Sequence, residues 1–184
     1  MATTQVTSSE TLTENLNNFI PTGFKFFLDK IPNVSYFCQA ASLPGITAGQ
    51  AILPNPLRDI SVAGDKAQFN EFRIRFIIDE ELKNWLEIYN WIVGLTYPED
   101  TEQYKKLYKS GNSLSSFGGL YSDGSLYILS SHKNAQYKVD FTHLFPITLT
   151  DIDMDSSLGD IDAITADVSF QYTTYNINRL IGDF

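Results

Sequence analysis

Acidic residues gather once in this chain in a pattern that suits a hard cation: Asp151, Asp153 and Asp155, with Asp162 eleven positions after Asp151. Calcium loops place oxygen ligands at such intervals, and Leu158 occupies the usual apolar position between them. Against a calcium site, Ser156 stands where the turn glycine belongs, Asp162 is shorter than the bidentate Glu it would replace, and the flanks read as strands instead of helices. An acidic surface hairpin is the expected reading, and a calcium-binding β module is the alternative from another functional class. His132 and His143 are the only histidines, and neither has Cys or carboxylate neighbours at the spacing of a helix-face metal site, so both are expected to serve packing or solvation. No G-x-S-x-G elbow and no G-x-x-x-x-G-K-[ST] loop occurs, and Phe117-Gly118-Gly119 lacks the strand-then-helix setting of a dinucleotide fingerprint. Glu80-Glu81 is explained by helix capping. No catalytic residue, cofactor or firm metal site is expected, and the chain is read as non-enzymatic.

Charge narrows the choice further. Thirteen Lys and Arg stand against 22 Asp and Glu, a net charge of −9, which argues against a surface that grips nucleic acid by neutralising phosphates. The same charge suits a wall past which DNA slides without sticking. Cys38 is the only cysteine, which excludes an intrachain disulfide and fits assembly in a reducing cytoplasm; it reads as a small buried apolar residue. The Thr/Ser/Asn-rich start lacks the basic and apolar segments of a signal peptide, and no apolar run reaches the ~18 to 20 residues of a membrane helix, so a soluble protein with no membrane partner is expected.

The elements that must position any site are mostly strands. A length of 184 residues fits one core, and 43% apolar and 14% aromatic content supplies it, with 13 Phe and ten Tyr favouring pleated surfaces. Residues 1–20 hold few large apolar side chains and are expected to be a flexible N-terminal arm, leaving 21–184 as one domain. Strands are expected at Phe24–Leu28, Val34–Ala41, Phe72–Ile78, Ser125–Ser130, Gln136–Thr142, Ile147–Met154 and Ile164–Tyr172. Pro54 and Pro56 place 51–59 on an edge or in an extended loop, and Gly64-Asp65 reads as a turn. One helix is expected over about 80–93, capped by Asp79 and ended by Gly94, with Leu82, Trp85, Leu86, Tyr89, Ile92 and Val93 as its buried stripe. Glu102–Lys109 fits a short helical turn in an otherwise uncertain connection. These elements predict a mainly β domain, a sandwich or nearly closed barrel of seven or eight strands with one flanking helix.

The ordered segments Phe24-Lys25-Phe26-Phe27-Leu28, Val34-Ser35-Tyr36-Phe37-Cys38-Gln39, Leu43-Pro44-Gly45-Ile46, Gly64-Asp65-Lys66 and Phe76 through Asn84 resemble the tail tube proteins of contractile-tailed bacteriophages. Asn90-Trp91-Ile92, Tyr97-Pro98 and Ser122-Asp123 before Leu126-Tyr127-Ile128-Leu129 continue the likeness, which covers about residues 22 to 175. The resemblance implies a fold shared with type VI secretion tube proteins. It also implies hexameric rings whose inner strands join into a continuous barrel, stacked into a virion tail tube that serves as the DNA ejection channel. Self-association, tail sheath, baseplate and tail terminator proteins are the implied partners, with DNA passing through unbound and assembly in the host cytoplasm. A tube-initiating or baseplate hub ring protein reuses the fold and is the alternative.

Two segments are expected to need neighbours. Leu43, Ile46, Ile52, Leu53 and Leu57 are too numerous for a solvent loop and too interrupted by proline for a central strand. Phe19 and Ile20, with Leu12 and Leu16, are expected to order the arm against an adjacent subunit.

Overall fold

The computed structural model describes residues 21–110, 119–154 and 163–180. The expected arm, with Phe19 and Ile20, and the segment holding Asp155 and Asp162 lie outside the described residues. In chain order the elements are β1 (Phe24–Leu28), α1 (Pro32–Tyr36), β2 (Cys38–Ala41), β3 (Ile46–Leu53), β4 (Ile60–Phe69), β5 (Phe72–Ile77), α2 (Lys83–Thr96), α3 (Thr101–Ser110), β6 (Ser122–Leu129), β7 (Ala135–Leu149), β8 (Thr165–Gln171) and β9 (Thr174–Arg179).

Seven strands form one sheet of order β1-β6-β7-β8-β5-β2, with β9 also on β7, while β3 and β4 pair only with each other. The expected mainly β architecture is present, but the sheet is open and does not close into a barrel. β7 joins its two halves. Residues 135–144 pair with β6, 137–142 also with β9, and 145–149 with β8. His143, with φ 56°, sits where the strand passes from one half to the other. Two separate strands were expected here; one 15-residue strand runs through Pro146, with a register shift between Pro146 and Thr148. Proline is tolerated because 145–149 pairs on one side only, so the missing N–H breaks no ladder.

The halves face each other across an aromatic core. β5 follows its alternation, with Phe72, Ile74 and Phe76 buried and Arg73 and Arg75 outside. Phe72 meets Phe26 of β1 at 5.2 Å and Phe141 of β7 at 4.5 Å between ring centroids, which ties one half-sheet to the other. Leu28, Leu126, Val139, Val168 and Phe170 complete that layer.

Three local expectations need correction. Val34–Ala41 is not one strand: Pro32, preset for a first helical position, opens α1, Val34 enters the core from it, and only Cys38–Ala41 extends. Cys38 is half-buried instead of fully buried. Gly64-Asp65 lies inside β4, because Gly64 supplies close backbone approach to Gly49 across the ribbon, and the chain turns instead at 54–59. Beyond the last expected strand the chain adds a further one, β9.

The helical content exceeds one helix, and α2 is rotated from its expected pose. It begins at Lys83 after Leu82, which takes a left-handed conformation, and its buried residues are Asn84, Ile88, Trp91 and Gly94. Apolar periodicity identifies a face but does not say which face turns inward. Asn84 decides it: its Nδ2 donates to Ile77 O at 2.8 Å, while its Oδ1 accepts from Trp85 N at 2.8 Å and Asp79 N at 3.3 Å. Main-chain groups leaving β5 are thereby satisfied, and Leu86 and Tyr89 of the expected stripe stay exposed. Gly94 does not end the helix. A Cβ there would lie 2.9 Å from Leu107 Cδ2, so the glycine lets α3 pack on α2, and Tyr97 takes the left-handed terminal position. The Trp91 indole donates to Leu120 O at 2.9 Å, and Lys30 Nζ lies 4.3 Å from the centre of its ring while donating to Gly119 O. Burial lowers the Lys30 pKa to about 8.

Candidate assembly surfaces

The β3–β4 ribbon pairs Leu53 with Ile60 and Ala51 with Val62, which puts these four residues on one face. Ile52 pairs with Ser61 on the opposite face. Ile46, Ile52, Leu53, Ile60 and Val62 are all exposed, and Leu57 at the tip is 95% exposed. An isolated two-stranded ribbon is marginal in water, and an uncovered apolar face makes it more so. Its base is firm. Phe69 contacts Tyr172 and Tyr175 at 6.0 and 5.6 Å, Tyr172 donates its hydroxyl to Asn70 O at 2.8 Å, and Tyr175 donates to Pro44 O at 3.2 Å. Burial pushes the Tyr172 hydroxyl pKa up to about 12.

The structure therefore places Leu43, Ile46, Ile52, Leu53 and Leu57 together on one projecting, exposed excursion. Sequence reading missed Ile60 and Val62, although their alternation with Ser61 was the available signal; the assumed turn at Gly64 hid it.

Sheet edges form the second surface. The half-sheet β7-β8-β5-β2 is open at β2 on one side and at 145–149 of β7 on the other. Its uncovered face is polar. Arg75 is held by Asp167 at 2.8 Å and Arg73 by Glu71 at 3.4 Å, so both guanidiniums have a carboxylate beside them, with Thr148, Thr150 and Ser169 around them. The hydrogen bond to Asp167, reinforced by its charge, raises the Arg75 pKa further above its ordinary value.

Among the described residues the candidate chemistry does not come together. Asp151 and Asp153 are exposed, and no group of three or more His, Cys, Asp or Glu side chains is placed to hold a metal among the described residues. His132 is exposed beside Ser131, and His143 lies at the β7 bend against Tyr121. Among the described residues no helix is long and apolar enough to cross a membrane.

The exposed ribbon and the open sheet edges are the features that stand out among the described residues. The chain matches the phage tail tube protein family over residues 4–178 and belongs to it. Among solved structures, it is similar to a chain of the anti-feeding prophage cap (tube terminating cap), with a TM-score of 0.57 and 9% identity over 95% of this chain and 99% of that one. A chain of the PVC sheath-tube complex of an extracellular contractile injection system, in the extended state, gives 0.54 and 11%, covering 96% and 100%. A chain of the anti-feeding prophage baseplate gives 0.54 and 11%, covering 84% and 90%. At these identities the likeness is one of fold. No curated protein matches the chain in sequence.

Proposed function

We propose that this chain is the non-enzymatic structural subunit of a bacteriophage tail inner tube, assembling into stacked hexameric rings that form the channel for DNA ejection. The observation that carries this reading is the β3–β4 ribbon, whose apolar face no described part of its own chain covers. In a stacked tube that face packs on a neighbouring subunit. Ring closure pairs the open β2 edge of one copy with residues 145–149 of the next, removing both edges. The core face of that half-sheet is already occupied by the other half, so its uncovered face lines the channel.

That lining is close to neutral: Arg73 and Arg75 are offset by Glu71 and Asp167. Unpaired lysines would hold duplex DNA through counterion release, whereas a neutral or acidic wall lets it pass, with any repulsion fading beyond a Debye length of ~8 Å. The tail sheath, baseplate and terminator are the proposed protein partners, the virion tail the proposed location, and the host cytoplasm the place of assembly. Residues 21–184 act as one domain, with 1–20 as an arm ordered by a neighbour. Electron microscopy of the purified chain, with inner-wall charge mapped from the reconstruction, tests this. Stacked rings with a neutral or acidic lumen are expected; a lumen dominated by Lys and Arg would contradict it.

The likeness to baseplate and cap chains supports a second reading, a tube-initiating or hub ring protein of the same fold. Such a protein stops at single rings at concentrations where a tube subunit polymerises.

A further inference from the structure

The outer edge of β1 is a third unfinished edge, remote from the ribbon in sequence. Leu129 N donates to Gly23 O at 2.8 Å and Asp29 N to Asp123 O at 3.2 Å, so these two residues direct main-chain groups toward β6. Antiparallel alternation assigns the same to Lys25 and Phe27, and turns the N–H and C=O groups of Phe24, Phe26 and Leu28 the other way. Leu28 N confirms the direction by donating to Ser35 Oγ at 2.8 Å. The corresponding groups of Phe24 and Phe26 have no partner among the described residues. Alongside them runs a groove of about 750 Å³ lined by residues 24–29 with Pro32, Ser35 and Cys38. An open groove along unpaired donors and acceptors is a receptor for an extended segment.

We propose that this edge receives the N-terminal segment of a neighbouring copy as an added strand, an inference that rests on the ring-assembly reading above. Twenty residues precede Pro21, and the family match begins at residue 4, so most of them belong to the family pattern. The segment contains neither Pro nor Gly, and around Leu12, Glu14 and Leu16 it alternates with Thr11, Thr13 and Asn15, a composition that can pair along an edge. Pro21 and Thr22 form a turn, but a two-residue hairpin return within the same chain is opposed there. In a two-residue hairpin loop Pro21-Thr22, the first position of a type I′ or II′ turn needs positive φ, which proline cannot adopt. A parallel return needs a crossover of roughly a dozen residues and leaves too little segment to pair. The neighbour's segment has neither constraint.

Cys38, the only native thiol, lies in the groove and serves as the reporter. Burial pushes its pKa up to about 11, so it reacts slowly until an oxidant or a close partner thiol is supplied. Full-length copies carrying Cys38→Ser and one of Thr11→Cys, Thr13→Cys, Asn15→Cys or Asn17→Cys are mixed with differently tagged wild-type copies, assembled, and oxidised with copper phenanthroline. A mixed-tag disulfide dimer at one or two neighbouring positions is the expected result, with slowed amide exchange at Phe24 and Phe26 on assembly. Rings on the grid with no mixed dimer at any position would overturn the strand addition alone. In a further variant that carries the same arm cysteine and retains Cys38, a link forming only within single chains would assign the groove to the chain's own segment and also overturn it. A mixed dimer without rings would support the inference and count against the tube reading.

Discussion

Replacing Ile52 and Leu53 together with Asp separates folding from assembly. Both side chains are more than half exposed, at 58% and 55%, so the folded monomer loses little, within about 0.5 kcal/mol. The two side chains lie on opposite faces of the ribbon, so if neighbours cover both faces in the assembly, the exposed half of each side chain is what the contacts bury. Full burial of Ile or Leu contributes about 1.5–3 kcal/mol, so the pair loses about 2–3 kcal/mol per contact. That is roughly 30- to 150-fold in association, before the cost of placing two unpaired carboxylates against an apolar surface. Thermal melting should be nearly unchanged, while sedimentation velocity shows monomer at concentrations where the wild type forms large species. Wild-type polymerisation by the double mutant would refute the ribbon as an interface.

Gly64→Ala tests the same ribbon from inside: a Cβ there would lie 2.8 Å from the Gly49 backbone, so a distortion costing about 1–3 kcal/mol should fall on the ribbon and lower assembly far more than core stability. The Lys30 pKa, lowered to about 8, makes the buried ammonium a cost to the fold below that pH. The unfolded chain keeps its proton until about 10.4, so stability should rise between about pH 8 and 10 by about 1–2 kcal/mol after solvent screening, an increment absent in Lys30→Met chemical denaturation curves. The hydroxyl of Tyr172, raised to about 12, works in the opposite sense, with its contribution lost as pH climbs from about 10 through 12. Adding ~1 mM calcium should leave the melting temperature unchanged; a rise with calcium but not magnesium would revive the site at Asp151 and Asp153.

How much was legible follows from what patterns encode. β5 was readable because one face packs and the other meets water, so Phe72, Ile74 and Phe76 alternate with Arg73, Arg75 and their solvent. The excursion at 43–57 stood out because apolar residues and prolines together fit neither a core strand nor a solvent loop. The pose of α2 was not legible, since a polar residue, Asn84, fixes its rotation through main-chain groups at the end of the preceding strand. Nor was the single course of β7: Pro146 reads as a break unless one knows that its strand is an edge at that point. Open edges are a property of topology, and no local spacing announces that β1 and β2 each lack a neighbour among the described residues.

The central claim is that the exposed ribbon and unpaired edges are completed by copies of this chain. Cryo-electron microscopy of the purified full-length protein, concentrated until it scatters light, tests it most directly. Stacked rings with the 46–69 ribbon against an adjacent subunit and the β2 edge paired to residues 145–149 of the next copy are predicted. A particle that stays monomeric at every concentration, or a ring in which both the ribbon and the β2 edge remain in solvent, would contradict the account.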